Sequence, residues 1–419
     1  MKTRVWLPIA SLAAALLATS GCAGPAAAPA AAPAGGGQAA NQPKSGGIVK
    51  LDLPADPQNL NPMFKEVNQQ EIVLGGTYLP LLRLEMNEQA GYTGSKILPF
   101  VADKWEMSAD ATQVTFHLRN DVKWQNKPPV NGRAFTAEDV KYNLLRFRDE
   151  KVSMARFIVE DMQDVATPDA QTVQVKMKKP FTPLVTYMAW DKALFHPKEL
   201  VDANLLDSEA IGTGPFMLDS FQRGSVWRMK KNPDFFMKDA SGNALPYLDG
   251  YDVLIIKDPS TAIAAFVAGQ LDLCGRCLPN GGPLVETIRK SAPKATLVKA
   301  ANPGGTEIYV NNAKAPFTDP RVRRALVKGL DVAGMVQVLG KGEGLFNAAG
   351  VGIAYKEWTM PEPELRKLCP HDIAGAQALL KEAGYDAKTP ISIYTDNSST
   401  DNVTYTELLQ SQLKAIGFN

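Results

Sequence analysis

Four cysteines and three histidines are the side chains in this 419-residue chain best suited to ligate a metal or act as nucleophiles. Cys274 and Cys277 make a CxxC pair. A thioredoxin-like redox pair needs its first cysteine at a helix N-terminus, where the dipole lowers the thiol pKa. The stretch LPNGGP that follows Cys277 breaks any helix there. A zinc site needs two further ligands, and only Cys369 and the scattered His117, His196 and His371 are on offer. Cys274 and Cys277 therefore read as a local disulfide or as two thiols. His117 sits in an alternating strand, on the face opposite Phe116 and Leu118, and reads as a surface residue. The stretch GMVQVLGKG, Gly334 to Gly342, misses the phosphate-loop pattern: Gly342 stands where a hydroxyl should hold Mg²⁺. It reads as a plain loop. No G-x-S-x-G elbow and no H-E-x-x-H occurs. Acidic pairs such as Glu138–Asp139 fall at helix starts, where negative charge is favoured anyway. The expectation is a protein with no catalytic residues, no metal and no cofactor.

The elements that position these residues mix strands and helices. Val49, Leu51 and Leu53 alternate, as do Val114, Phe116 and Leu118, and Val173, Val175 and Met177. Val253 to Ile256 is a short apolar run suited to a strand buried on both faces. Thr136 with Asp139 fits a capping box ahead of a helix whose Val140, Leu144 and Phe147 share a face. Asp319 followed by Pro320 opens a helix with an apolar stripe at Val322, Ala325, Leu326, Gly329 and Leu330. Arg321, Arg323 and Arg324 lie off that stripe, as a solvated or salt-bridged face. Asp372 opens another helix that Gly384 closes. Thr404 and Glu407 fit a capping box for the last helix. The fold class is α/β, mixed α+β.

The net charge of +1 argues against a nucleic-acid partner. Lys2 and Arg4 precede an apolar run from Trp6 to Ala18, of secretory length and too short to span a bilayer. Thr19, Ser20 and Gly21 lead into Cys22, which resembles the lipobox of bacterial lipoproteins, with Thr19 in place of the usual leucine. Residues 23–44 are almost all Ala, Pro and Gly and form a loose tether, reaching on the order of 60 Å when extended. Cys22 is thus the expected lipidation site.

From Ser45 onward the chain resembles the bacterial extracellular solute-binding proteins of family 5, the oligopeptide- and dipeptide-binding proteins of ABC importers. SGGIVKLDLPADPQNLNP resembles their opening strand and TYLPLLRLE their first cleft-lining segment. The stretch from PFVADKWEM to KYNL resembles the family signature, and IGTGPF the crossover back to the first lobe. FVAGQLDL, YVNNAKAPFTDPRVRRALVKGLD, LLKEAGY and LLQSQLKAIGF follow in family order. The resemblance implies a two-lobed periplasmic-binding-protein-like fold. Lobe one would comprise 45–88 and 207–305, a small extra domain 89–206, and lobe two 306–419, after the signal peptide 1–22 and tether 23–44. Family members commonly continue past the position of Asn419, so the expectation is a C-terminal truncation with the second lobe incomplete.

The resemblance further implies an extracytoplasmic monomer. It would sit at the outer membrane face or in the periplasm, tethered through Cys22, handing a peptide or similar small solute to a permease with its ATPase subunits. Tyr78 matches a family position near the ligand, although Leu79 and Pro80 replace the usual Glu and Gly. Trp190, Asp191, Tyr309, Asn311, Asn312 and Trp358 complete the candidate ligand contacts: aromatics as apolar walls, Asn amides to read a peptide backbone. A nickel-binding branch is not favoured by three histidines without ligand spacing. The alternatives are a secreted enzyme or redox protein using Cys274 and Cys277, and a peptide receptor outside transport.

Overall fold

The computed structural model describes residues 43–64, 72–85, 96–151, 153–275, 283–298, 307–340, 344–347, 359–388, 390–395 and 400–419. Cys22, Cys277 and Trp358 lie outside them. The strands are β1 (Ile48–Leu53), β2 (Leu82–Leu84), β3 (Ile97–Pro99), β4 (Ala102–Met107), β5 (Gln113–Leu118), β6 (Met162–Asp169), β7 (Thr172–Met177), β8 (Phe216–Gln222), β9 (Val226–Lys231) and β10 (Gly250–Ile255). The longer helices are α1 (Ala137–Asp149), α2 (Pro259–Val267), α3 (Pro283–Ser291), α4 (Pro320–Gly329), α5 (Val332–Leu339), α6 (Glu362–Leu368), α7 (Ile373–Glu382) and α8 (Thr400–Ile416). Among the described residues, no helix is long and apolar enough to cross a membrane.

A four-stranded sheet has the order β1-β10-β9-β8. Its first pair is parallel, Leu51 beside Val253, although some two hundred residues separate β1 from β10 in the chain. The remaining pairs are antiparallel. Leu53, Trp227, Met229 and Val253 bury their side chains in its core. The Trp227 indole lies flat on Phe221, centroids 4.2 Å apart, and its N–H donates to Asp56 at 2.8 Å.

Between β1 and β8 the chain builds a second sheet, antiparallel, in the order β4-β5-β7-β6. The alternation of β5 and β7 has its expected result: Val114, Phe116, Leu118, Val173, Val175 and Met177 all point into one core. α1 closes that core with Val140, Leu144 and Phe147. At its start, Thr136 N donates to the Asp139 carboxylate at 2.9 Å, the backward half of a capping box. His117, on the other face, is half-buried, with Nε2 3.7 Å from Glu106.

The last described part is helical. α4, α7 and α8 share a core of Val322, Ala325, Leu326, Ala376, Leu380, Leu413 and Ile416. Asp319 accepts from Arg321 N at 2.7 Å and Asp372 from Gly375 N at 2.8 Å, so both expected N-caps form. Gly384 takes φ +66° just after α7, where a side chain would be strained. Gly329 is packed so closely that a Cβ would meet Ile416 Cγ1 at 2.6 Å, which fixes how near α4 approaches α8. Two expectations fail here. α8 already begins at Thr400, so Thr404 and Glu407 lie inside the helix and form no N-terminal box. The Gly-rich stretch from Gly334 is not a loop: α5 runs through it to Leu339, with Asp331 as the N-cap accepting from Gly334 N at 2.8 Å. Asp331 supplies the start signal, and four apolar residues from Met335 to Leu339 carry the helix onward.

Candidate functional site

The crossover Ile211–Phe216 is the hub around which the first group of candidate residues is built. It runs against the backbone of Gly76–Tyr78: Gly214 N donates to Thr77 O at 2.8 Å and Phe216 N to Gly76 O at 2.9 Å. The approach leaves no space for side chains. A Cβ on Gly212 would lie 1.9 Å from Thr77 O, and one on Gly214 2.4 Å from Gly76 O. From the other side, fully buried Gln125 clamps the crossover. Its amide donates to Gly214 O and Phe216 O at 3.3 and 2.8 Å and accepts from Gly212 N at 3.2 Å.

Tyr78, fixed by this seam, is only 1 % exposed and belongs to the core under the β1-β10-β9-β8 sheet. Its hydroxyl reaches Glu209 O at 3.5 Å, and burial raises its pKa above the usual phenol value. Glu209 in turn takes the Lys127 ammonium at 2.6 Å. Tyr78 thus sits beneath the surface as a packed support.

Trp190 and Asp191 are carried by the turn Met188–Phe195, which is stitched to the segment after Tyr78. Leu82 N donates to Met188 O at 2.9 Å, and Phe195 N to Leu79 O at 3.5 Å. Trp190 is 38 % exposed and is not alone. Tyr187 lies 5.8 Å from it and Phe157 5.9 Å, ring centroid to centroid. Phe157 is also exposed, and it meets Tyr187 at 5.2 Å, so the three rings make a partly open apolar shelf. Tyr187, three residues before Trp190, had a legible helical spacing; nothing in the sequence ties Phe157 to them.

Tyr309, Asn311 and Asn312 stand together on the segment that leads into α4. Tyr309 is 87 % exposed and donates a hydrogen bond to Glu307. The Asn311 side chain accepts from Ala313 N at 3.0 Å, which fixes a turn, and Asn312 is exposed. Val310 anchors the segment on the α4–α7–α8 core. Tyr78, Trp190 and Asp191 are therefore grouped on one part of the fold, and Tyr309, Asn311 and Asn312 on another.

Cys274 is disulfide-bonded, and Cys369 carries a half-buried thiol. Among the described residues, no group of three or more His, Cys, Asp or Glu side chains is arranged to hold a metal ion.

Residues 96–419 match the family model of bacterial extracellular solute-binding proteins, family 5. The chain belongs to that family. It is 26 % identical over 350 residues to Di/tripeptide-binding protein 2 of Pseudomonas aeruginosa, covering 77 % of this chain and 62 % of that protein. It is 27 % identical to the dipeptide-binding protein of Escherichia coli, covering 78 % and 63 % respectively. The chain thus spans about three-fifths of the length of these curated relatives. Among solved structures it resembles the periplasmic binding protein DppA of Helicobacter pylori in complex with the peptide STSA. There the TM-score is 0.72 at 23 % identity, covering 90 % of this chain and 73 % of that one. It also resembles AgaA of A. tumefacien R10 in complex with agropinic acid, at TM-score 0.73 and 23 % identity, covering 89 % and 72 %. These likenesses establish the mixed α/β fold of two-lobed periplasmic binding proteins.

Proposed function

We propose that the protein is the extracytoplasmic solute-binding component of an ABC importer, capturing a short peptide and passing it intact to a membrane permease with its ATPase subunits. The observation that carries this reading is the family match over residues 96–419, joined to relatives that bind di- and tripeptides. The protein works as a monomer, tethered to the membrane by lipid on Cys22 at the outer membrane face or in the periplasm. It binds and does not transform its solute, and no cofactor takes part.

Solute binding draws on two surfaces. Trp190 and Asp191 supply an apolar wall with a carboxylate beside it. Tyr309, Asn311 and Asn312, together with Trp358, supply a second aromatic wall and amides that both donate to and accept from a peptide backbone. A ligand touching both surfaces binds the closed form better than the open one and so shifts the population toward closure. Tyr78, being buried, positions the Trp190 turn from behind.

The test is to incubate the full chain with a mixed pool of di- and tripeptides, recover the protein by rapid filtration and identify the retained peptides by mass spectrometry. Intact retained peptides at one per chain support the reading. Cleaved peptides favour a secreted enzyme, and a pool that passes through wholly unretained contradicts peptide capture.

A further inference from the structure

Two short helical turns set the rings around Trp190. In Arg156–Val159, Ile158 and Val159 are buried, which turns Phe157 outward. In Leu184–Tyr187, Leu184 and Val185 are buried, and so is Met188 just after them. Tyr187 N donates to Pro183 O at 2.9 Å and Trp190 N to Tyr187 O at 3.1 Å, so both rings leave one tight run of chain. Buried neighbours thus fix the backbone that carries all three rings. The planes of Tyr187 and Trp190 lie 31° apart, and Phe181 continues them, 6.1 Å from Tyr187 at 30°. Phe157 stands across both, at 86° to Tyr187 and 72° to Trp190. The result is a floor with one upright wall. With centroids 5.2–5.9 Å apart the rings touch one another, so they form a surface and not a cage around a cation.

We propose that this corner selects the solute: the captured peptide carries an aromatic side chain, which lies on Trp190 and Tyr187 and abuts Phe157. Phe157 and Tyr187 are then specificity-determining residues. Aromatic pairs favour offset-stacked or edge-to-face geometry. A ring laid parallel to Trp190 stands at 72° to Phe157, so one placement meets both preferences. The open area names the size of the occupant. An aromatic side chain carries about 150–250 Å², so Phe157 at 43 % exposure and Trp190 at 38 % leave on the order of 150 Å² open. A stable protein partner covers about 800 Å² on each side, whereas one stacked ring covers an area of the size left here. Because the rings are held before the ligand arrives, little ordering cost falls on binding. The inference rests on the peptide-capture reading, which already places Trp190 on the ligand, and goes beyond it by naming the side chain.

The test is isothermal titration of the full chain with alanyl-alanine, alanyl-phenylalanine, phenylalanyl-alanine and alanyl-lysine. Burying a phenyl ring predicts that at least one phenylalanine peptide binds roughly 10- to 100-fold tighter than alanyl-alanine. In Phe157→Ala that ratio should largely disappear, and in Phe157→Leu, which keeps apolar bulk without a ring, it should lie between. The ratio is taken within each folded protein, so a general loss of affinity does not imitate the effect. Three results overturn the aromatic corner and leave peptide capture standing. They are alanyl-alanine bound as tightly as both phenylalanine peptides, alanyl-lysine bound as tightly as the better of them, or a ratio unmoved by Phe157→Ala. Binding of none of the four peptides contradicts capture itself, and the corner with it.

Discussion

Gln125 and Gly212 exchange a pair of hydrogen bonds: Gln125 N donates to Gly212 O at 2.9 Å, and Gly212 N donates back to Gln125 Oε1 at 3.2 Å. The two residues belong to different sheets' surroundings, and this contact sews the β4-β5-β7-β6 unit to the crossover that backs Tyr78. Gln125→Leu keeps the volume and removes the amide. It strands Gly212 N–H, a buried donor, and takes one donor each from Gly214 O and Phe216 O. An unmet buried polar group costs about 1–3 kcal/mol. Urea denaturation should show Gln125→Leu destabilised by about 2–4 kcal/mol, with Gln125→Glu intermediate. An unchanged midpoint contradicts the seam.

Gly212→Ala attacks the same seam from the backbone side. Its new methyl would sit 1.9 Å from Thr77 O, which cannot move without pulling Tyr78. Overpacking costs about 1–3 kcal/mol, and a clash with backbone this close belongs at the upper end of that range. Gly224→Ala is the control for lost flexibility, since a Cβ there meets nothing within 4 Å, although its φ of +72° still carries strain. Thermal melts should rank Gly212→Ala well below Gly224→Ala; the reverse order would mean that close approach is not what selects glycine at 212.

His196 predicts a pH dependence. It is fully buried, its Nε2 is 3.1 Å from Arg146 Nη1, and burial, followed by the Arg146 charge, lowers its pKa from 6.5 to about 3. The Tyr142 ring packs edge-on against the imidazole, 6.2 Å away. Above about pH 6.5 the ring is neutral in both states and the folded form loses nothing. Below it, the unfolded chain takes up a proton that the folded chain refuses. Stability then falls by about 1.4 kcal/mol per pH unit until the folded pKa is reached. Between pH 7 and pH 5 the wild-type protein should lose roughly 2 kcal/mol more than His196→Leu does. Asn143 holds only the backbone of residue 196, at 2.8 and 3.1 Å, so the variant keeps that anchor. Equal pH dependence of the two proteins contradicts a neutral buried ring.

Arg133 grips two carboxylates at once, Asp139 at 2.7 and 2.9 Å and Glu199 at 2.5 and 2.9 Å. Its hydrogen bonds, and to a lesser degree its charge, hold the Glu199 carboxyl below the usual range, so this pair stabilises above the unfolded carboxylate pKa and is lost as pH falls. Lysine carries the charge without the fork. Arg133→Lys should therefore destabilise nearly as much as Arg133→Ala, by about 1–2 kcal/mol after allowing for solvent screening. Full retention of stability by lysine would reduce the interaction to simple charge.

Much of the fold was legible because its signals are local. The alternation in β5 and β7 put Phe116 and Val175 inside, and the Asp319 and Asp372 caps start their helices where side-chain chemistry says they should. Thr404 misled because a capping pattern also occurs inside helices, and only the preceding turn decides. The stretch from Gly334 reads as a loop from its place between a helix and the GEG that follows, while Asp331 caps a helix that runs through Gly334 to Leu339. The site was less legible. Tyr78 matches a ligand-side position yet packs inward, since the close approach of Gly212 is a tertiary contact. Gln125 carried no signal at all: a glutamine in a polar stretch looks exposed until the crossover folds onto it. Phe157 joins Trp190 only in three dimensions.

The central claim is reversible capture of a peptide without chemistry. Isothermal titration of the full chain with alanyl-alanine and a tripeptide, beside Trp190→Ala and Tyr309→Ala variants, tests it directly. Capture predicts one site per chain, micromolar or tighter binding (about −8 kcal/mol), and at least tenfold weaker binding in each variant. No heat of binding for any short peptide, or binding indifferent to both residues, would contradict it.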